Sequence, residues 1–142
     1  PYEDNEEHVI YNMVNGLLLR PYISGMVWKM SDTGMKRMQE GLPLEEIRSD
    51  VRDGVPFFPL GFGHIRDKAL AYGIINGDVA YLAVFTPATD EVEIPLTIEK
   101  EIAEVSVIYP KEQLCEYSYE NGVLHVKMPQ KAAARLFRIQ LK

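Results

Sequence analysis

Three histidines, one cysteine and 21 acidic side chains are the first groups in this 142-residue chain to weigh as acids, bases, nucleophiles or metal ligands. His8, His64 and His125 stand far apart, whereas metal ligands usually recur at short spacings. His125 also falls on the polar face of an alternating segment and is expected to face solvent. Cys115 belongs to no Cys/His signature, so a half-buried structural thiol is expected. Gly61-Phe62-Gly63 lacks both the preceding strand and the third glycine of a phosphate loop. Carboxylate pairs such as Glu45-Glu46 and Asp50 with Asp53 fall on an expected helix surface, where charge serves solubility. A glycosidase pair must instead converge on a sugar in a cleft. Tyr22, Trp28, Phe57, Phe58 and Phe62 could stack on sugar rings, but their proline-rich, apolar surroundings predict that they glue a helical half to a sheet. No catalytic, cofactor-binding or metal-binding residue is assigned on these grounds, and no cofactor is expected.

The elements that would position these groups divide near Pro56 to Gly63. Five of the six methionines lie at or before Met38, while Val, Ile and Thr number 9 in residues 1–64 and 18 in residues 65–142. Unbranched side chains favour helices and β-branched ones favour strands, because branching loses χ1 freedom against the preceding helical turn. Asp4 and Glu7 have capping-box spacing. Val9, Ile10, Met13, Val14, Leu17 and Leu18 then form a helical stripe, widened by Tyr11 and Leu19. No charge interrupts it between His8 and Arg20, so this helix calls for more than one apolar neighbour, and Pro21 and Ser24-Gly25 end it. A second helix is predicted after Ser31 or Asp32, carrying Met35 and Met38. Gly41 breaks or kinks it, and Pro43 sits where a first-turn proline is tolerated, before Leu44, Ile47 and Val51 at helical spacing. Glu45, Glu46, Arg48 and Arg52 read as the solvated face.

From Ala69 onward the pattern is strands. Ala69 to Ile75 and Val79 to Thr86 flank Asn76-Gly77, a pair suited to a type I′ hairpin turn. Tyr81 to Phe85 is apolar on both faces, which predicts a central strand covered on both sides. Glu91 to Leu96 alternates, and Pro95 marks an edge or a bulge. Ala103 to Tyr109 alternates as well, Tyr117 to Tyr119 pairs with Val123 to Met128 across Asn121-Gly122, and Leu136 to Leu141 closes the chain. About seven short strands predict an α+β chain: a helical segment over residues 1–64 and an antiparallel β-sandwich over residues 65–142.

Composition narrows the function classes. With 46% hydrophobic residues, 25% charged residues and a net charge of −6, the chain lacks the basic excess that a nucleic-acid partner requires. The apolar run from Val9 to Leu19 is broken by Asn12 and Asn15 and falls short of the roughly 20 residues of a membrane span. One cysteine excludes an internal disulfide and fits a reducing cytoplasm. Pro1 stands in place of a methionine, ahead of acidic Glu3, Asp4, Glu6 and Glu7, as expected of a chain that begins inside a longer polypeptide.

Several segments resemble, in order, the C-terminal stretch of the bacterial α-galactosidases related to raffinose-cleaving enzymes. They are Tyr11-Asn12-Met13-Val14-Asn15-Gly16, Arg20, Ser24-Gly25, Ile47-Arg48 and Pro56 to Gly61. The likeness continues through Ala71-Tyr72-Gly73, Asp78, Tyr81 to Phe85, Ile94-Pro95-Leu96 and Tyr109-Pro110. The chain departs from the family pattern at Phe58 and Phe85, where tryptophan is usual, and at Pro21-Tyr22. The resemblance implies a retaining glycoside hydrolase whose TIM-like barrel carries an aspartate nucleophile and an aspartate acid/base. The Lys-Trp-Asp type segment and the glycine-rich segment ending in Asp that hold them do not occur in this sequence. It therefore implies that residues 5–20 are the last barrel helix, with Arg20 to Gly25 at the non-catalytic end. On this reading the chain is a non-catalytic tail that braces the barrel, partnered by the rest of its parent and by a possible second copy through the helical half. A stand-alone carbohydrate-binding module, with an exposed platform among Tyr72, Tyr81, Tyr117 and Tyr119, and a protein-association module are the alternatives.

Overall fold

The computed structural model describes residues 5–112 and 114–142, apart from the side chains of Glu45 and Glu46. The expected Asp4 cap lies outside these residues. Helix α1 spans Glu6–Leu17, with Asn5 as its N-cap: the Asn5 side-chain oxygen accepts from the Glu7 amide at 2.9 Å. Asn5 thus satisfies one of the helix's unpaired first-turn donors. The helix stops at Leu17 rather than at Arg20, because Pro21 cannot continue it and already packs near Gly16. Helix α2, Asp32–Gly41, takes Ser31 as N-cap, its hydroxyl accepting from the Gly34 amide at 3.0 Å. Helix α3 follows as Glu45–Asp53.

Eight strands follow, all paired antiparallel: β1 Val55–Phe57, β2 Leu70–Asn76, β3 Val79–Thr86, β4 Glu91–Pro95, β5 Ile102–Tyr109, β6 Glu116–Glu120, β7 Val123–Lys127 and β8 Ala133–Leu141. They form a five-stranded sheet in the order β1-β2-β3-β8-β5 and a three-stranded sheet in the order β4-β7-β6. The fold is α+β with a sandwich-like arrangement, as the sequence predicts, with β1 the strand not foreseen. β1 lies before residue 64 and extends the large sheet by pairing Pro56 with Ile74. Its brevity and its proline suit an edge position.

Alternation along β3 explains the layers. Ala80, Leu82 and Val84 enter one core with Ile94, Leu124, Val126, Phe137 and Ile139, between the two sheets. Tyr81, Ala83 and Phe85 enter a second core with Ile10, Val14, Leu18, Ile47 and Leu136, between the large sheet and the helices. Successive side chains of a strand point to opposite faces, so a strand apolar on both faces must be covered twice. Pro95 sits on β4, an edge of the small sheet, as expected.

The two Asn-Gly pairs form different turns. Asn121 and Gly122 have φ of 52° and 80°, the two positive angles of a type I′ turn. In the first hairpin Asn76 still pairs with Val79, so Gly77 and Asp78 are the turn residues. Only Gly77, at φ 61°, is left-handed there, the pattern of a type II′ turn rather than the expected I′.

Candidate functional site

The charged side chains most deeply placed hold the helices to the sheet. Arg135 of β8 is fully buried and donates to both Glu7 carboxylate oxygens, at 2.8 and 2.9 Å, and to the carbonyls of Ala134 and Leu114, at 2.7 and 2.9 Å. Arg37 of α2, 3% exposed, reaches Glu6 at 2.7 Å, Glu112 at 2.7 Å and Glu40 at 3.3 Å. Burial opposes the charged form of Arg37, but the hydrogen bonds to Glu112 and Glu6 outweigh it and raise its pKa. The hydrogen bonds from Arg37 and Lys36 hold the Glu112 carboxyl down at about 2. Tyr109 donates to the Arg37 carbonyl at 2.9 Å, and burial pushes its phenol upward. Burial likewise pushes Tyr72 and Tyr81 up to about 12. Arg135, Arg37, Tyr109 and the carboxylates they meet are committed to contacts that hold the helices to the sheet.

Asp50 is not simply solvated: half-buried, it accepts the Tyr81 hydroxyl at 2.8 Å, because β3 turns that ring toward α3. Asp53 is exposed and bonded to its neighbour Arg52 at 3.0 and 3.1 Å. The side chains of Glu45 and Glu46 lie outside the described residues. Cys115 is half-buried, and burial pushes its thiol up, away from the reactive thiolate. His8 and His64 are exposed on separate elements, and the His64 ring accepts from the Arg66 amide at 3.1 Å. Among the described residues no group of three or more His, Cys, Asp or Glu gathers to hold a metal.

The outer face of the small sheet brings polar groups into register. His125 stands opposite Glu93 on one side and Ser118 on the other, and Lys127 stands between Glu91 and Glu116. The His125 ring lies 3.3 Å from Glu93, and Lys127 lies 3.3 Å from Glu91. These residues line an open concavity of about 520 Å³. Its floor is the exposed face of a three-stranded sheet, and its contents are a cross-strand ion pair, Lys127 with Glu91, and a cross-strand contact of His125 with Glu93, of the ordinary stabilising kind.

The aromatic residues contradict one expectation. Of the five rings predicted as glue, Phe57 packs against the core, but Tyr22, Trp28 and Phe62 are 85%, 76% and 84% exposed, and Phe58 is exposed too. The Phe58 and Phe62 rings lie 4.7 Å apart in a tilted contact that leaves both exposed. The reason is local: residues 18–26 and 58–69 have no ladder to pull them inward, Trp28 sits in a single 3-10 turn, Val27–Lys29, with no buried residue, and Gly25 and Gly61 turn the backbone at φ 102° and 78°. Ile10, Val14, Leu18 and Ile47 supply the glue instead. The platform that the alternative carbohydrate-binding module calls for is not assembled either. Tyr81 is 5% exposed, Tyr72 stacks on Phe85, and Tyr117 and Tyr119 pack toward the inter-sheet core.

A further groove lies between the end of α1 and α3. After the Leu18 C-cap, Leu19 and Tyr22 project outward beside Val51, with Arg20, Arg48 and Arg52 around them. The groove holds about 660 Å³.

No family model matches the chain, and no curated protein does. Among solved structures, Amy13B of Eubacterium rectale, a glycoside hydrolase, is similar over 75% of this chain, with 14% identity and a TM-score of 0.39. This chain spans 21% of the length of that one. Nothing about activity passes from it to this chain.

Proposed function

We propose that the chain is a non-catalytic C-terminal portion of a glycoside hydrolase related to the bacterial α-galactosidases, working in the cytoplasm to brace the catalytic barrel of its own polypeptide. Residues 1–64 would supply the last barrel helix and a connector, and residues 65–142 the sandwich. The parent reaction would be hydrolysis of terminal α-galactosides with retention, by two carboxylates carried elsewhere. The ordered family-like segments support the reading. The observation that carries it is where apolar surface is left uncovered: among the described residues, eleven of twelve exposed large hydrophobic side chains fall within residues 19–65. They fall mostly on the segments that link the helices and lead into the large sheet, whereas the inner faces of α1 and of the two sheets are buried. That asymmetry is expected of a segment shaped for a neighbour.

Sequencing the gene upstream of Pro1 tests this directly. An in-frame barrel carrying the two catalytic aspartates is the expected result, and a start codon immediately before Pro1 would overturn the role. The isolated chain should give no turnover of an aryl α-galactoside above blank. Turnover that survives repurification would remove the non-catalytic assignment.

A further inference from the structure

We propose that the outer edge of β6 accepts an extended basic segment of another polypeptide as a fourth strand of the small sheet, with two cations of the added strand set opposite Glu116 and Glu120. The two sheets have four edges, β1 and β5 in the large one and β4 and β6 in the small one. Exposed edges invite further pairing unless something blunts them. β1 is three residues long with Pro56 at its centre, β4 ends in Pro95, and β5 breaks register between Ile102 and Glu104 and again between Val107 and Tyr109. Prolines remove ladder donors, and bulges turn an edge out of line. β6 has neither: its five residues pair with β7 in unbroken register, from Glu116 with Lys127 to Glu120 with Val123.

The hairpin fixes which groups are on offer. Glu120 and Val123 close the two-residue turn as a hydrogen-bonded pair, and such pairs alternate along an antiparallel ladder, so Ser118 and Glu116 also bond inward to β7. The N–H and C=O groups of Tyr117 and Tyr119 therefore point away from β7, and among the described residues no backbone group outside the ladder bonds to them. Both rings turn toward the inter-sheet core, while Glu116, Ser118 and Glu120 are exposed on the other face. Among the described residues neither carboxylate has an ion-pair partner: Lys127, opposite Glu116 in register, lies 3.3 Å from Glu91 instead. An added strand that alternates cations with apolar residues would pair its apolar residues with Tyr117 and Tyr119 and its cations with the two glutamates, as opposite charges across a ladder favour. The net charge of −6 favours the same partner at longer range. A second copy paired antiparallel through β6 about Ser118 would set Glu116 against Glu120, which like-charge repulsion opposes. The small sheet lies across the large sheet from the helices, so this edge does not depend on the bracing role.

The test uses the full chain and a fluorescein-labelled peptide with Lys-Val-Thr-Val-Lys at its centre, read by anisotropy and by amide hydrogen exchange. Binding that saturates below about 1 mM is expected, with the Tyr117 and Tyr119 amides slowed by peptide and the Ser118 amide, already in the ladder, unchanged. Glu116→Lys with Glu120→Lys should weaken binding about ten-fold or more while keeping the wild-type Tm, since both positions are exposed; Glu116→Gln with Glu120→Gln supplies a milder pair. A peptide with both valines replaced by proline carries the same charge without the two N–H donors. It should bind at least about ten-fold less tightly, as should a Glu-for-Lys peptide. The proposal is overturned by no saturation at about 1 mM, by glutamate variants that bind like wild type, or by equal binding of the proline peptide, which leaves only charge attraction. Protection that appears in other strands but not at Tyr117 and Tyr119 overturns it too. So does a sedimenting dimer whose Tyr117 and Tyr119 amides are protected without peptide, which makes the occupant a second copy.

Discussion

Arg135 is a fully buried guanidinium, and its stabilising value depends on every partner being in place. The pair with Glu7 joins residues 128 positions apart and fastens the first turn of α1 to β8. Arg135→Met leaves the Glu7 carboxylate uncompensated and the Leu114 and Ala134 carbonyls without that donor, so urea unfolding should show a loss of about 3–5 kcal/mol. Arg135→Met with Glu7→Leu should recover most of it, because an apolar pair of similar volume avoids desolvating two charges. A double variant no better than the single would mean that the carbonyl bonds, not the ion pair, carry the effect. Glu112 gives a prediction in pH. Its folded pKa of about 2 lies below the unfolded value of about 4.3, so its contribution is complete above the unfolded value and is lost as pH falls through the folded one. Side-chain NMR should place its midpoint near 2 in the wild type and higher in Lys36→Met. A wild-type midpoint in the ordinary carboxylate range would remove both ion pairs from the solution structure.

At the scale of elements, the weakest joint of the large sheet is the edge strand β1. Phe57 pairs with Gly73, and a Cβ at Gly73 would run into the Phe57 ring and the Tyr81 carbonyl oxygen. Backbone cannot yield as a flexible side chain does. Gly73→Ala should therefore destabilise by about 1–3 kcal/mol and raise amide exchange in β1 and β2 more than in β6 and β7. Uniform loosening of both sheets would contradict this. The same elements show what a sequence can carry. β3 was legible because its five apolar residues leave no polar face, and period-two alternation allows one reading of that. The helices were legible from Ser31, Pro21 and the stripe from Val9 to Leu18. β1 was not, since three residues with a proline at the centre give no alternation, and its partner lies beyond a long loop. The pairing of Glu7 with Arg135 escaped for a related reason. Glu7 and Arg135 look like surface charges in their own segments, and only the packing of α1 on β8 makes them a pair. The exposure of Tyr22 and Trp28 was hidden too, because large aromatic side chains in apolar surroundings have the composition of core.

The whole molecule is stabilised unevenly, and that asymmetry can be measured. Leu82 is fully buried between the two sheets, whereas Ile65 is 96% exposed and Phe62 84% exposed. Apolar atoms stabilise only when folding removes them from water, so hydrophobicity alone does not distinguish these residues. Leu82→Ala removes buried methyl groups and leaves a cavity, and should lower stability by about 2–5 kcal/mol. Ile65→Ser and Phe62→Ser, which empty nothing, should stay within about 0.5 kcal/mol of wild type in the free chain. Joined to the barrel proposed as its neighbour, the chain would cover some of this surface, and the same substitutions would then weaken that contact. Urea unfolding of the free chain, set beside thermal unfolding of the longer polypeptide, separates the two states. If Phe62→Ser or Ile65→Ser costs as much as Leu82→Ala in the free chain, these side chains are buried in solution, and the surface assigned to a neighbour is already occupied. If they are silent in both settings, the neighbour lies on another part of the surface.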